Sequence, residues 1–123
     1  PVVLDVGGNI GFFALYVFLR KARARVYSFE PVPTHFGMLR SHQAAHPHFD
    51  WTALPLAVAD QSGTVDFFYD QTHSDDGIDP SASLFSPSGT ATPVAEPGRL
   101  RVETVGLAGW LDGENIARVD LLK

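Results

Sequence analysis

The residues whose types and spacing promise chemistry lie early in the chain, in Asp5-Val6-Gly7-Gly8-Asn9-Ile10-Gly11 and in Glu30, the last residue of the run RVYSFE. Gly7 and Gly8 permit positive φ and keep Cβ atoms out of a ligand's way, and Gly11 lets a helix and a strand pack closely. An acid placed like Glu30 accepts hydrogen bonds from both hydroxyls of a ribose and repels a 2′-phosphate. Two phosphate-binding patterns are missing. The P-loop G-x-x-x-x-G-K-[ST] is absent, and the spacing D-x-G-x-N-x-G does not supply the dinucleotide fingerprint G-x-G-x-x-G. The ribose-type ligand is therefore not expected to be held by a diphosphate.

The elements that must position these residues follow from periodicity. Val2 to Val6 reads as a short buried strand, and Ile10, Phe13, Ala14, Val17 and Phe18 take up helical spacing. Phe12, Leu15, Tyr16 and Leu19 widen the apolar surface, so this helix is expected to pack on two sides. Arg20, Lys21 and Arg23 suit the negative end of its dipole, and Arg25 to Glu30 forms the next strand. That completes one βαβ unit, which implies parallel strands.

Pro33 opens a helix running to about Ala45, with Phe36 and Leu39 inward. A third strand is expected around Trp51 to Val58, weakened by Pro55, followed by a turn at Asp60-Gln61-Ser62-Gly63 and a strand from Thr64 to Tyr69. Asp70 to Gly98 is rich in Ser, Thr, Asp, Gly and Pro and reads as a long functional or mobile loop. Leu100 to Val105 reads as a strand, Leu107 to Leu111 as a short helix and Val119 to Leu122 as another strand. The alternation gives the fold class: α/β, a doubly wound, mostly parallel sheet. A buried strand stopping at Lys123 suggests an incomplete domain, so residues 1–123 are taken as one domain truncated at both ends.

Composition narrows the partners. The chain has 9 basic and 14 acidic residues, a net charge of −5, and no basic surplus for a nucleic acid backbone. It has no cysteine, hence no disulfide or thiolate metal site. No apolar run approaches the roughly 20 residues a bilayer demands, so no membrane partner is expected. A cytoplasmic protein is the expectation, and its oligomeric state is not legible.

With these pieces in place, the chain resembles the FkbM-type family of class I S-adenosylmethionine-dependent methyltransferases, which carry a Rossmann-like fold. The resemblance rests on Asp5 to Phe13 (DVGGNIGFF), Ser28-Phe29-Glu30-Pro31, Ala57 to Gly63 (AVADQSG), Ser81-Ala82-Ser83-Leu84 and Val119 to Lys123 (VDLLK), in the family's order. It departs at Gly8, where the family's commonest form has alanine; glycine there is expected to loosen the turn. The resemblance implies S-adenosyl-L-methionine as cofactor and O-methylation of a small molecule or sugar. It implies that Asp5 orients the turn and faces the methionine amino group, directly or through water. Gly7, Gly8, Asn9 and Gly11 would surround the methionine portion and Glu30 would hold the ribose. Pro31 would flank the adenine, with Val58 and Asp60 near its face and edge, and Ser83 would touch substrate.

Other patterns take blander readings. His42 and His46 stand at i, i+4 with His48 close by, but without the H-E-x-x-H signature they read as a solvated helical face, and no metal is assigned. Asp70, Asp75, Asp76 and Asp79 lack calcium-loop spacing and read as a hydrated acidic loop. Most of the phenylalanines fall at core spacing, and Trp51 and Trp110 receive no role. No catalytic residue is assigned. The rival readings are an NAD-dependent oxidoreductase-type domain, which would share fold and ribose acid, and a methyltransferase fold that does no chemistry.

Overall fold

The structure is a computed structural model that describes residues 1–69 and 98–123. Ser83 and the aspartates at 70, 75, 76 and 79 lie outside the described residues, as does most of the expected long loop. The elements in chain order are β1 (Val2–Val6), α1 (Phe12–Arg20), β2 (Arg25–Phe29), α2 (Pro33–Ala45), β3 (Asp50–Leu54), β4 (Ala57–Ala59), β5 (Gly63–Tyr69), β6 (Gly98–Gly106), α3 (Leu107–Gly113) and β7 (Leu121–Leu122).

The main sheet has the order β3-β2-β1-β7, with every pairing parallel. The chain leaves β1 towards β2 and β3 on one side and returns as β7 on the other. The gap beyond the carboxyl ends of β1 and β7 is thus a topological switch point, the place where such sheets bind ligands. A second sheet, β4-β6-β5, pairs β4 with β6 in parallel and β5 with β6 antiparallel. The fold is α/β with a mostly parallel main sheet, as expected.

Strand periodicity sorts the core onto two faces. Val3, Val26 and Trp51 share one face and pack with Ala14, Val17 and Phe18 of α1 and Leu39 of α2. Leu4, Tyr27 and Phe29 line the other, covered by Val58, Val105, Trp110 and Leu111. Burying side chains such as Phe18 and Leu39 contributes about 1.5–3 kcal/mol each, which fixes both helices against the sheet. Trp110 stands edge-on to Tyr27 and Phe29, with ring centroids 5.0 and 4.9 Å away.

Four expectations need correction. The strand expected from Trp51 to Val58 is two strands in different sheets, because Pro55 has no N–H to continue the ladder on β2 and β4 pairs with β6 instead. Helix α1 buries one stripe only: Phe12, Tyr16 and Leu19 are 64%, 55% and 83% exposed. On α2 the inward stripe is His35 and Leu39, continued by the half-buried His42 and, just past the helix end, His46, with Phe36 half-buried beside it. The histidine face is therefore only partly solvated, with His42 and His46 half-buried and His48 exposed. The His42 Nδ1 donates to the Ile10 carbonyl at 2.6 Å, and its ring stacks on Phe12.

Candidate functional site

The glycine turn joins β1 to α1 and docks on the end of β2. The N–H groups of Gly7 and Gly8 both donate to the Phe29 carbonyl, at 3.0 and 2.9 Å, and Gly11 N–H closes back on the Gly8 carbonyl at 2.9 Å. Three residues take left-handed backbone: Gly7 at φ 70°, Asn9 at 51° and Gly11 at 94°. Asparagine tolerates that region better than other side chains, which accounts for its place among glycines.

Each glycine meets a different demand. A Cβ on Gly7 would have no heavy atom within 4 Å, so this position faces open space. A Cβ on Gly11 would lie 2.8 Å from the Trp51 ring, which is the close helix–strand approach expected there. Gly8 does not have positive φ; its Cβ would meet Leu39 Cδ1 at 2.9 Å and Ser28 Cβ at 3.0 Å. Glycine at position 8 therefore does not loosen the turn. Leu39 fills the space that an alanine methyl would take.

Beneath the turn runs a polar chain across the strand tips. Asp5 on β1 is fully buried. Its Oδ2 accepts from the Ser28 hydroxyl at 3.1 Å, and Ser28 Oγ accepts from the Trp51 indole N–H at 3.0 Å. Its Oδ1 accepts from the Lys123 ammonium at 2.7 Å, which also donates to the Gly7 carbonyl at 2.9 Å and lies 5.3 Å from the centre of the Phe13 ring. Residues of β1, β2 and β3 and the end of β7 are thus tied together directly under Gly7. Asp5 orients the turn through Lys123, and neither of its oxygens is exposed to a ligand.

Glu30 is buried as well. Its Oε2 accepts from Asn9 N–H and its Oε1 from Val32 N–H, both at 2.8 Å, with His35 Nδ1 3.8 Å from Oε1. Burial pushes its carboxyl above the usual range, against the pull of the Val32 and Asn9 amides. Each oxygen has a second lone pair, so acceptor capacity for a hydroxyl remains. Pro31 is half-buried immediately after it.

Val58 belongs to the apolar cluster around Phe29, and Asp60 is exposed in the turn after β4. That turn is anchored by Thr104 Oγ1 donating to the Gln61 carbonyl and by Gly106 N–H donating to Ser62 Oγ. Among the described residues no hydrogen bond or ion pair joins Val58 or Asp60 to the glycine turn. Asp5, Gly7, Gly8, Asn9, Gly11 and Glu30 are brought together; Pro31 and Val58 flank them, and Asp60 stands apart.

Sequence reasoning assigned no role to Ser28, His35, Trp51 or Lys123. Ser28 had a readable signal, a lone polar residue inside an apolar strand. Lys123 had none, since its partner Asp5 is 118 residues away.

A mostly parallel sheet with a glycine turn at its switch point and an acid at the end of the next strand defines a Rossmann-like α/β fold. The Methyltransferase FkbM domain matches residues 5–123, and the chain belongs to this family. It is 37% identical over 73 residues to the 31-O-demethyl-FK506 methyltransferase FkbM of Streptomyces tacrolimicus, covering 58% of this chain and 28% of that protein. It is 27% identical over 126 residues to the 2-O-methyltransferase NoeI of Sinorhizobium fredii, covering 99% of this chain and 51% of that protein. Methyltransferase sdnD of Sordaria araneosa is 30% identical over 70 residues, covering 56% and 27%. The chain thus spans about half the length of these relatives or less. No solved structure matches it. Among the described residues no helix is long and apolar enough to cross a membrane.

Proposed function

We propose that this domain binds S-adenosylmethionine at the β1–β7 crevice and serves methyl transfer to an oxygen of a small molecule or sugar. The observation that carries this reading is the turn itself. Gly7 faces open space at the switch point, while the buried Asn9 Oδ1 has no hydrogen-bond partner, an acceptor that fits a ligand's amino group. Glu30 takes the ribose with its remaining lone pairs. Pro31 flanks the adenine, with Val58 and Asp60 towards its face and edge and Ser83 on the substrate side. Two relatives bear names that specify O-methyl transfer, which supports an oxygen acceptor.

The bound sulfonium would supply an electrophilic methyl carbon. The protein's contribution is alignment, since an in-line displacement gains most from holding nucleophile, methyl and sulfur on one axis. The polar chain from Trp51 to Lys123 holds the turn rigid for that purpose.

Calorimetry tests the reading. Binding of S-adenosylmethionine and S-adenosylhomocysteine is expected, and Gly7→Val is expected to abolish it by filling the open space. Tight binding of NAD with no response to either sulfur ligand overturns the proposal.

A further inference from the structure

The charge displayed at the turn differs in sign from the one its sequence suggests. Asp5 is fully buried, and both of its oxygens already accept hydrogen bonds from the protein. The Lys123 side chain is 39% exposed and its ammonium sits against the Gly7 carbonyl, beside the open space. Lysine carries three N–H donors. Two are spent on Asp5 and Gly7, and the third has no acceptor among the described residues.

Helix α1 starts next to it at Phe12, with Gly11 as its cap and no side-chain hydrogen bond to its first amides. The positive end of that helix dipole and the spare ammonium donor favour the same thing, an anion. The ammonium is held in place by Asp5, itself locked by Ser28 and Trp51, so little ordering remains to be done on binding.

We propose that Lys123 is a ligand-binding residue, donating its third N–H to the carboxylate at the amino-acid end of the donor. This rests on the S-adenosylmethionine reading above. The ligand's own ammonium is then repelled by Lys123 and turns towards Asn9 Oδ1. The carboxylate, rather than the amino group, becomes the part of the amino-acid end that is read by a side-chain charge.

Two ligands separate contact from scaffolding. S-adenosylhomocysteine carries the amino-acid end, and 5′-methylthioadenosine keeps the nucleoside and thioether but lacks it. In the full chain, Lys123→Gln is expected to weaken S-adenosylhomocysteine by about tenfold to a hundredfold, the worth of a charge-assisted hydrogen bond. Methylthioadenosine affinity is expected to fall much less, by no more than the loosened turn costs, and Lys123→Arg to recover part of the loss. Equal weakening of both ligands overturns the assignment, since Lys123 would then act only by holding Asp5 and the turn. Undiminished binding of S-adenosylhomocysteine by Lys123→Gln overturns it too. A wild-type chain that binds neither ligand overturns the proposed function and this assignment with it.

Discussion

At the carboxyl edge of the main sheet, Asp5 is fully buried between Ser28 and Lys123. On the second sheet the pair Arg99–Asp66 stands in water, with 69% and 34% of the two side chains exposed. A buried carboxylate must be satisfied by fixed partners, so it dictates where Ser28 and Lys123 sit. An exposed pair gains little Coulomb energy in water and spends side-chain entropy to form. The contrast assigns precision to the region under the glycine turn and tolerance to the outer sheet.

The largest expected effect comes from Gly11, where backbone and packing demands coincide. Gly11→Ala drives a Cβ to 2.8 Å from the Trp51 ring in a left-handed backbone at φ 94°. Overpacking costs about 1–3 kcal/mol and the backbone about 1–2, so unfolding stability is expected to fall by about 2–5 kcal/mol. Gly7→Ala has the same kind of backbone but open space, and only the backbone cost of about 1–2 kcal/mol is expected. Denaturant titrations of the two variants check the difference. Equal losses would mean that the turn is not packed as tightly at its helix end as the Trp51 contact implies.

Asp5→Asn comes next. The amide keeps the shape but brings an NH2 group towards either Ser28 or Lys123 and removes the charge that balances the ammonium. A loss of about 1–3 kcal/mol is expected, the usual penalty for a buried hydrogen-bonding group left unsatisfied. Double-mutant cycles with Lys123→Gln give the coupling between the two side chains. A coupling near zero would place the pair in the same class as Arg99–Asp66.

How much of this was legible follows the same division. The first strand, both long helices and the second strand could be read because each carries a strong local signal: an apolar run, helical spacing, or Pro33 at a helix start. The pairing of Asp5 with Lys123 could not, because the two are 118 residues apart and nothing local says which strand will lie beside β1. The outward stripe Phe12, Tyr16 and Leu19 misled for a related reason. Apolarity signals what a side chain would gain from burial, and the tertiary arrangement decides whether it is buried. At Gly8 the sequence showed a missing methyl but not Leu39, the residue that occupies its space.

Glu30 gives a smaller effect with a pH signature. Its carboxyl lies above the usual range in the folded state because burial disfavours the charge. Between the ordinary and the raised value the folded state binds more protons than the unfolded one, so stability falls as pH rises through that window. Glu30→Gln removes that slope. At neutral pH it relieves the buried charge yet turns an NH2 group towards the Asn9 or Val32 amide, so a net change of about 1 kcal/mol or less is expected. Melting temperatures of both proteins across the acidic range check it. Parallel curves would mean that Glu30 is solvated in the folded protein, and the turn would then lose its buried anchor.

The smallest effect is expected at Arg99–Asp66, and its smallness is what the comparison demands. Arg99 of β6 reaches diagonally to Asp66 of β5, which is registered opposite Arg101, two residues along β6 from Arg99. Arg99 holds the Asp66 carboxyl below its usual range, chiefly through their hydrogen bond. With Arg101 nearby, the aspartate keeps a positive neighbour when Arg99 is removed, so Arg99→Ala is expected to change stability little, far less than Asp5→Asn. Raising the salt concentration should erase most of that small change, because solvent-exposed charges are screened over a Debye length of about 10 Å at 0.1 M. Asp5→Asn should keep most of its loss under the same conditions, since Asp5 and its partner Ser28 are fully buried. A salt-insensitive loss at Arg99 as large as that at Asp5 would mean that the outer sheet is as constrained as the turn.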